Sequence, residues 1–249
     1  MRFARDVAAT GPRPAAGVAE MRAQRLLGRR FQAAGMRVSV QNVRVPGKGR
    51  SRNVIGVRRG RGRCLRVVMA HADTVAGSPG ANDNASGLGA LAELAGRTRR
   101  GGLPCELWLV GTGAEERIFT GARDHLGALA LARLVRRNRG PARLRWALSL
   151  DEVGRSRSLA LRSPAAGPRS GVERAMAAAA RRERVALRWQ RDASGGLSDH
   201  REFHLLGLRA MKLGSSASCY HQSCDTAGKL DRVALGRHVR VVGRALAGR

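Results

Sequence analysis

The run Leu65-Arg-Val-Val-Met-Ala70 ends on His71-Ala-Asp73-Thr74, and two more runs of the same kind end on acidic residues. Leu107-Trp-Leu-Val110 leads through four small residues to Glu115-Glu116, and Trp146-Ala-Leu-Ser-Leu150 runs directly into Asp151. Each run is short and apolar, the pattern of a strand buried on both faces. Helical patterns separate the runs, from about Ser86 to Leu94 and from about Thr120 to Val135. This alternation predicts an α/β fold: a three-layer sandwich whose central, mostly parallel (mixed) sheet carries helices on both faces. In open α/β sheets ligands bind at the carboxyl ends of strands, so the three runs deliver their polar residues to one rim.

Outward from these runs the pattern continues. Val18 to Ala34 reads as an amphipathic helix that stops at Gly35. Strand-like segments Val38 to Val45 and Asn53 to Val57 flank the turn Pro46-Gly47-Lys48-Gly49. A polar strand near Leu159 to Leu161, a helix over Val172 to Arg182, a strand over Leu208 to Leu213 and a closing helix over Val233 to Leu246 follow. No linker, repeat or low-complexity tract interrupts the chain, so residues 1–249 read as one domain.

Composition narrows the function. A hydrophobic content of 43% excludes a disordered chain. With 47 Lys+Arg against 18 Asp+Glu the net charge is +29, which invites a nucleic-acid reading. Yet only Lys48, Lys212 and Lys229 are lysines, the arginines spread over the whole length, and 3% aromatics leave few stacking platforms. The charge reads as compositional background, with nonspecific polyanion binding as a side effect and no specific nucleic-acid partner. A non-catalytic basic nucleic-acid-binding protein would show a clustered basic face. The opening residues lack the apolar core of a signal peptide, and no stretch approaches the length of a membrane span. The expectation is a soluble, cytoplasmic protein with no membrane partner, secretion staying open if the chain begins further upstream. The oligomeric state is not legible here.

Cys64 and Cys105 each open an apolar run and are expected as buried thiols. Cys219 and Cys224 bracket His221. They could form a local disulfide, stay free or donate thiolates to a metal; the first two are favoured because other ligands are at hand.

Acidic residues are scarce, yet several gather beside glycines and histidines. The segments are His71-Ala-Asp73-Thr, Gly80-Ala-Asn-Asp83-Asn-Ala-Ser-Gly87, Gly113-Ala-Glu115-Glu116, Leu150-Asp151-Glu152 and Tyr220-His221. His71 and His221 offer imidazole nitrogens, while Asp83, Glu116 and Asp151 offer oxygens, a set suited to borderline divalent metals and zinc above all. Two ions with five protein ligands need one ligand in common, and Asp83, in a loop of small residues, suits a bridging carboxylate. Adjacent Glu115 and Glu116 project in different directions, so one can hold a metal while the other faces a water. Any one of these groups alone reads as blandly as a structural histidine, a helix cap or a solvated turn. Their joint occurrence at strand ends is what points to a site.

The segments HADT, GANDNASG, GAEE, LDEVG, SDHREF and YHQSCDT resemble, in order and spacing, the motifs of the co-catalytic di-zinc aminopeptidases of the bacterial leucyl aminopeptidase type. Thr10-Gly-Pro-Arg-Pro and Arg52-Asn-Val-Ile resemble that family's lead-in, so the likeness covers nearly the whole chain. It implies the zinc-exopeptidase (phosphorylase/hydrolase-like) fold and two zinc ions per chain. One would be held by His71, Asp83 and Asp151, the other by Asp83, Glu116 and His221. Glu115 would be the general base, Asp73 would orient the His71 imidazole, and Tyr220 would hydrogen-bond the developing oxyanion. The implied activity is hydrolysis of the first peptide bond of peptides with a free N-terminus. A carboxypeptidase, a dipeptidase, or a glutaminyl cyclase using one zinc are the alternatives on the same fold. Arg117-Ile-Phe-Thr and Gln222-Ser-Cys depart from the family's usual residues and bear on the substrate pocket. Asp199-His200 is expected to support the site's loop, and His125, His204 and His238 to be helix-surface or packing residues.

Overall fold

A computed structural model describes residues 1–116, 125–164, 171–192 and 196–248. In chain order the helices are α1 (Arg2–Ala8), α2 (Val18–Ala33), α3 (Ser86–Arg97), α4 (Leu126–Asn138), α5 (Gly171–Arg182), α6 (His200–Leu205) and α7 (Arg232–Ala247). The strands are β1 (Arg37–Val45), β2 (Gly49–Arg58), β3 (Leu65–His71), β4 (Glu106–Thr112), β5 (Leu144–Leu150), β6 (Leu159–Pro164), β7 (Leu187–Asp192) and β8 (Ala210–Leu213). Local chemistry sets several ends. The helix α2 stops because Gly35 turns left-handed (φ +76°), letting the Met36 and Gly35 amides reach the carbonyls of Phe31 and Gln32 at 3.0 and 2.8 Å. At the start of α7, Asp231 accepts the Val233 and Ala234 amides, filling two otherwise orphan donors.

All eight strands join one sheet in the order β1-β2-β4-β3-β5-β8-β6-β7. Its centre, β4-β3-β5-β8, is parallel, while β1-β2, β2-β4 and β8-β6 are antiparallel, so the sheet is mixed as expected. Side chains alternate between two cores. Val68 and Ala70 of β3 pack with α2, α3, α5 and α7, whereas Val67 and Met69 pack with Leu131 of α4 and Phe203 of α6. Every residue of β3 is buried, which explains why its sequence shows no polar alternation.

The anticipated elements are present, with ends displaced by a few residues. The proposed start of a helix at Thr120, and Arg117-Ile-Phe-Thr, lie outside the described residues. Three short elements were not anticipated: α1, β7 and α6. The strand β7 reads Leu-Arg-Trp-Gln-Arg-Asp, an edge strand too exposed to carry an apolar run.

One expectation is overturned. Cys64 and Cys105 form a disulfide rather than two thiols. The β3–β4 register places Leu65 opposite Glu106, so the residues just before each strand also lie side by side, with Cα atoms 4.8 Å apart. Sequence spacing cannot reveal which strands are neighbours. Cys219 and Cys224 are also joined, which selects the local disulfide among the open readings.

Candidate metal centre

His71 is the last residue of β3, Asp151 follows β5 directly, and Glu115 and Glu116 stand on the turn after β4. Parallel pairing of these three strands aligns their carboxyl ends and brings the groups together. Asp83 arrives from the loop before α3, which leaves Gly80 in left-handed geometry (φ +59°). A Cβ at Gly80 would collide with the Thr74 side chain and the Asp83 carbonyl, so the tight approach requires glycine. His221 comes from a turn that the Cys219–Cys224 disulfide closes.

The five expected ligands form two overlapping groups about Asp83. Its Oδ1 lies 3.1 Å from His71 Nε2, and Asp151 Oδ1 lies 3.5 Å from the same nitrogen. Its Oδ2 lies 3.2 Å from His221 Nε2, which is also 3.2 Å from Glu116 Oε2. In each group, His71-Asp83-Asp151 and Asp83-Glu116-His221, the donor atoms fall within 4.8 Å of one another. Four of the five side chains are buried and His221 is half-buried.

The electrostatics suit cations. Burial pushes the Glu116 carboxyl up to about 8, with Asp83 and Glu115 adding to the rise and His221 opposing it. Burial would lower His221, but Asp83 and Glu116 raise it to about 10. His71 is lifted against burial in the same way, first by Glu115. So many buried carboxylates need positive charge nearby, which protons or metal ions can supply. Asp151 Oδ1 is buried and, among the described residues, has no hydrogen-bond partner. An oxygen left bare beside an imidazole is what a metal ligand requires, so the residues fit a zinc-type centre.

Other side chains hold these donors in place. His71 Nδ1 lies 3.1 Å from the Asp73 carbonyl oxygen, a contact that takes the Nδ1 proton and turns Nε2 toward the site. The Asp73 carboxylate is farther, 3.8 Å from Nδ1. It instead accepts the Glu115 and Glu116 amides, each at 3.0 Å. The expected orienting role thus passes through the Asp73 main chain, because its carboxylate is occupied by the neighbouring strand end. Tyr220 stacks on His221 with ring centroids 3.7 Å apart and is 47% exposed. Partial desolvation of the phenol, then Asp83 and Asp151, push it above the usual range.

Sequence reasoning missed several partners. Asp225 accepts the Asn82 and Asp83 amides at 2.9 to 3.0 Å, tying the His221 segment to the Asp83 loop. Lys212 on β8 donates to Asp151 Oδ2 at 2.6 Å and lies 3.6 Å from Glu152. Although burial opposes ionisation, this ammonium holds the Asp151 carboxyl below the usual carboxylate range. Only the scarcity of lysine could have marked Lys212, and Asp225 lay within the segment YHQSCDT without being singled out. Asp199 supports the rim as expected, accepting the Thr112 hydroxyl at 2.5 Å. His200 is buried 3.2 Å from Asp192, away from the ligands.

His125 departs from its expected role as a surface or packing residue. It is 3% exposed, and its Nε2 lies 3.3 Å from Glu115 Oε1. Burial would lower its pKa, but Glu115 first and then Glu202 raise it to about 10. The reason is tertiary: the first residues of α4 fold back onto the turn after β4. His238 is a packing residue, buried in α7.

The model of peptidase family M28 matches residues 53–246. No curated protein matches by sequence. Among solved structures, an aminopeptidase from Aneurinibacillus sp. strain AM-1 superposes with a TM-score of 0.83 at 19% identity, covering 97% of this chain and 92% of that one. A zinc aminopeptidase from Bacillus subtilis gives 0.85 at 17% identity, covering 98% and 93%. A glutaminyl cyclase from Bacteroides thetaiotaomicron gives 0.82 at 18%, covering 100% and 96%. Identities this low establish the common fold.

Proposed function

The chain belongs to peptidase family M28, and on that premise we propose that it is a zinc aminopeptidase that removes the first residue of peptides with a free N-terminus. The observation that carries the reading is the Asp83 carboxylate, offered on its two sides to two imidazole–carboxylate groups. One zinc ion would be held by His71, Asp83 and Asp151, and a second by Asp83, Glu116 and His221. Such ions supply a Lewis acid for the scissile carbonyl and lower the pKa of water toward about 7. Glu115 takes the proton of the attacking water and returns it to the leaving amine. Asp73 holds the main chain of Glu115 while its carbonyl steadies His71. The Tyr220 phenol donates to the oxyanion that develops on the substrate.

The eight strands of the described residues belong to one sheet, which supports reading residues 1–249 as one domain. No helix among the described residues is long and apolar enough to cross a membrane. The two disulfides favour an oxidising compartment over the cytoplasm.

The test is hydrolysis of free and N-acetylated aminoacyl-p-nitroanilides by the zinc-loaded protein, with Glu115→Ala as control. Cleavage confined to free amines and lost in the variant supports the reading. No cleavage of any free-amine substrate by zinc-loaded protein overturns it in favour of a carboxypeptidase, dipeptidase or cyclase.

A further inference from the structure

A general base works only if one of its oxygens is aimed at the water, yet the terminal torsion of a glutamate is broad and nearly two-fold. Glu115 is gripped on two sides by one residue. The His125 amide donates to the Glu115 carbonyl at 2.9 Å, and the next two amides, of Leu126 and Gly127, donate to Ala114 and Gly113 at 2.9 and 3.0 Å. The first residues of α4 are thereby fastened to the turn that carries Glu115. His125 itself has a left-handed backbone (φ +54°), uncommon for a residue with a Cβ. Its Nε2 then lies 3.3 Å from Glu115 Oε1, while its Nδ1 faces Glu202 Oε1 at 3.6 Å. A carboxylate on each side of the buried ring attracts one ring nitrogen each, and the two attractions together favour this orientation.

We propose that His125 is a positioning residue for Glu115: its imidazole occupies Oε1 and so leaves Oε2 to exchange the proton, with Glu202 keeping the ring turned that way. The inference rests on Glu115 being the general base of the aminopeptidase reading above. It assigns His125 no contact with substrate or metal.

The experiment compares His125→Phe, His125→Gln and Glu202→Gln with the wild type, all zinc-loaded and checked for zinc content. Phenylalanine keeps a ring but removes the donor, so kcat falls roughly 10- to 100-fold, the cost of a misplaced group. KM stays within about threefold, because an interaction with the general base does not contribute to ground-state binding. Glutamine restores a nitrogen near the Nε2 position and recovers part of kcat, and Glu202→Gln has a smaller effect than His125→Phe. A His125→Phe enzyme within about twofold of wild-type kcat overturns the proposal. So does a loss that only tracks zinc content. A second readout does not need turnover: in ¹⁵N-histidine-labelled protein, Glu115→Gln shifts the His125 ring resonances. If the wild type cleaves nothing, the aminopeptidase reading fails, and this shift still decides the contact. Unmoved resonances overturn it.

Discussion

Asp83 presents one carboxylate oxygen to each imidazole of the centre, Oδ1 at 3.1 Å from His71 and Oδ2 at 3.2 Å from His221. Among the described residues no other donor belongs to both candidate ligand groups that flank it. Asp83→Ala is therefore expected to empty both positions, while Asp151→Ala or Glu116→Ala empties one. Elemental analysis after dialysis against zinc-free buffer reads the difference. Equal losses in all three variants would contradict the bridging role.

Asp225 fastens the Asp83 loop by accepting the main-chain amides of Asn82 and Asp83. Removing a partner that orients a ligand typically weakens metal binding by about 10- to 100-fold. Asp225→Ala should show a loss of that size in zinc affinity, measured by competition with a chromophoric chelator. Asp225→Asn, which keeps one acceptor oxygen, should lose less.

Zinc affinity should fall with acidity. In the metal-free protein the His221 ring is raised to about 10 by its carboxylate neighbours against burial, and burial raises the Glu116 carboxyl to about 8. Proton and metal compete for the same atoms, so lowering the pH favours the proton. Each displaced proton should cost roughly a factor of ten in affinity per pH unit, seen between about pH 8 and about pH 6. Affinity that does not change over this range would exclude His221 as a ligand.

His238 makes the fold acid-sensitive at a place remote from chemistry. Burial lowers its pKa to about 4, while a contact with the Ala234 carbonyl resists the shift. The folded state binds the proton more weakly than the unfolded chain, whose histidines titrate near about 6.5. The stability that neutral His238 allows is thus complete above that value and is lost as the pH falls toward about 4. The loss amounts to up to about 3 kcal/mol. Chemical denaturation across this window should show a smaller acid loss for His238→Leu than for wild type.

The disulfide Cys64–Cys105 closes a sequence separation of 41 residues. Loop-closure entropy puts its contribution at about 4 kcal/mol. Cys64→Ala/Cys105→Ala should lower stability by that order yet leave zinc content unchanged, since the bond lies at the opposite end of β3 from His71. A loss of zinc in the folded variant would show that the two ends of the strand are coupled.

How much was legible depended on how local the cause was. Runs such as Leu65–Ala70 announce a buried strand, because a segment covered on both faces must be apolar throughout. The candidate ligands His71, Glu116 and Asp151 were legible for a related reason: acids and a histidine placed just after such runs emerge at one rim. The left-handed turn at Gly35 was marked by its glycine. Strand β7 was not, since an exposed edge strand carries no apolar pattern.

By itself, then, the sequence marked the alternation of strands and helices, the rim at which polar groups emerge, and the four candidate ligands that the fold gathers around Asp83. These follow from period, polarity and backbone stereochemistry, which act over a few residues. Only the tertiary structure decided who meets whom across the chain. It placed Cys64 against Cys105, Lys212 against Asp151, Asp225 against the Asp83 amide and His125 against Glu115. Those contacts depend on which strands are neighbours and on how each loop folds back, and both are settled by packing of the whole core.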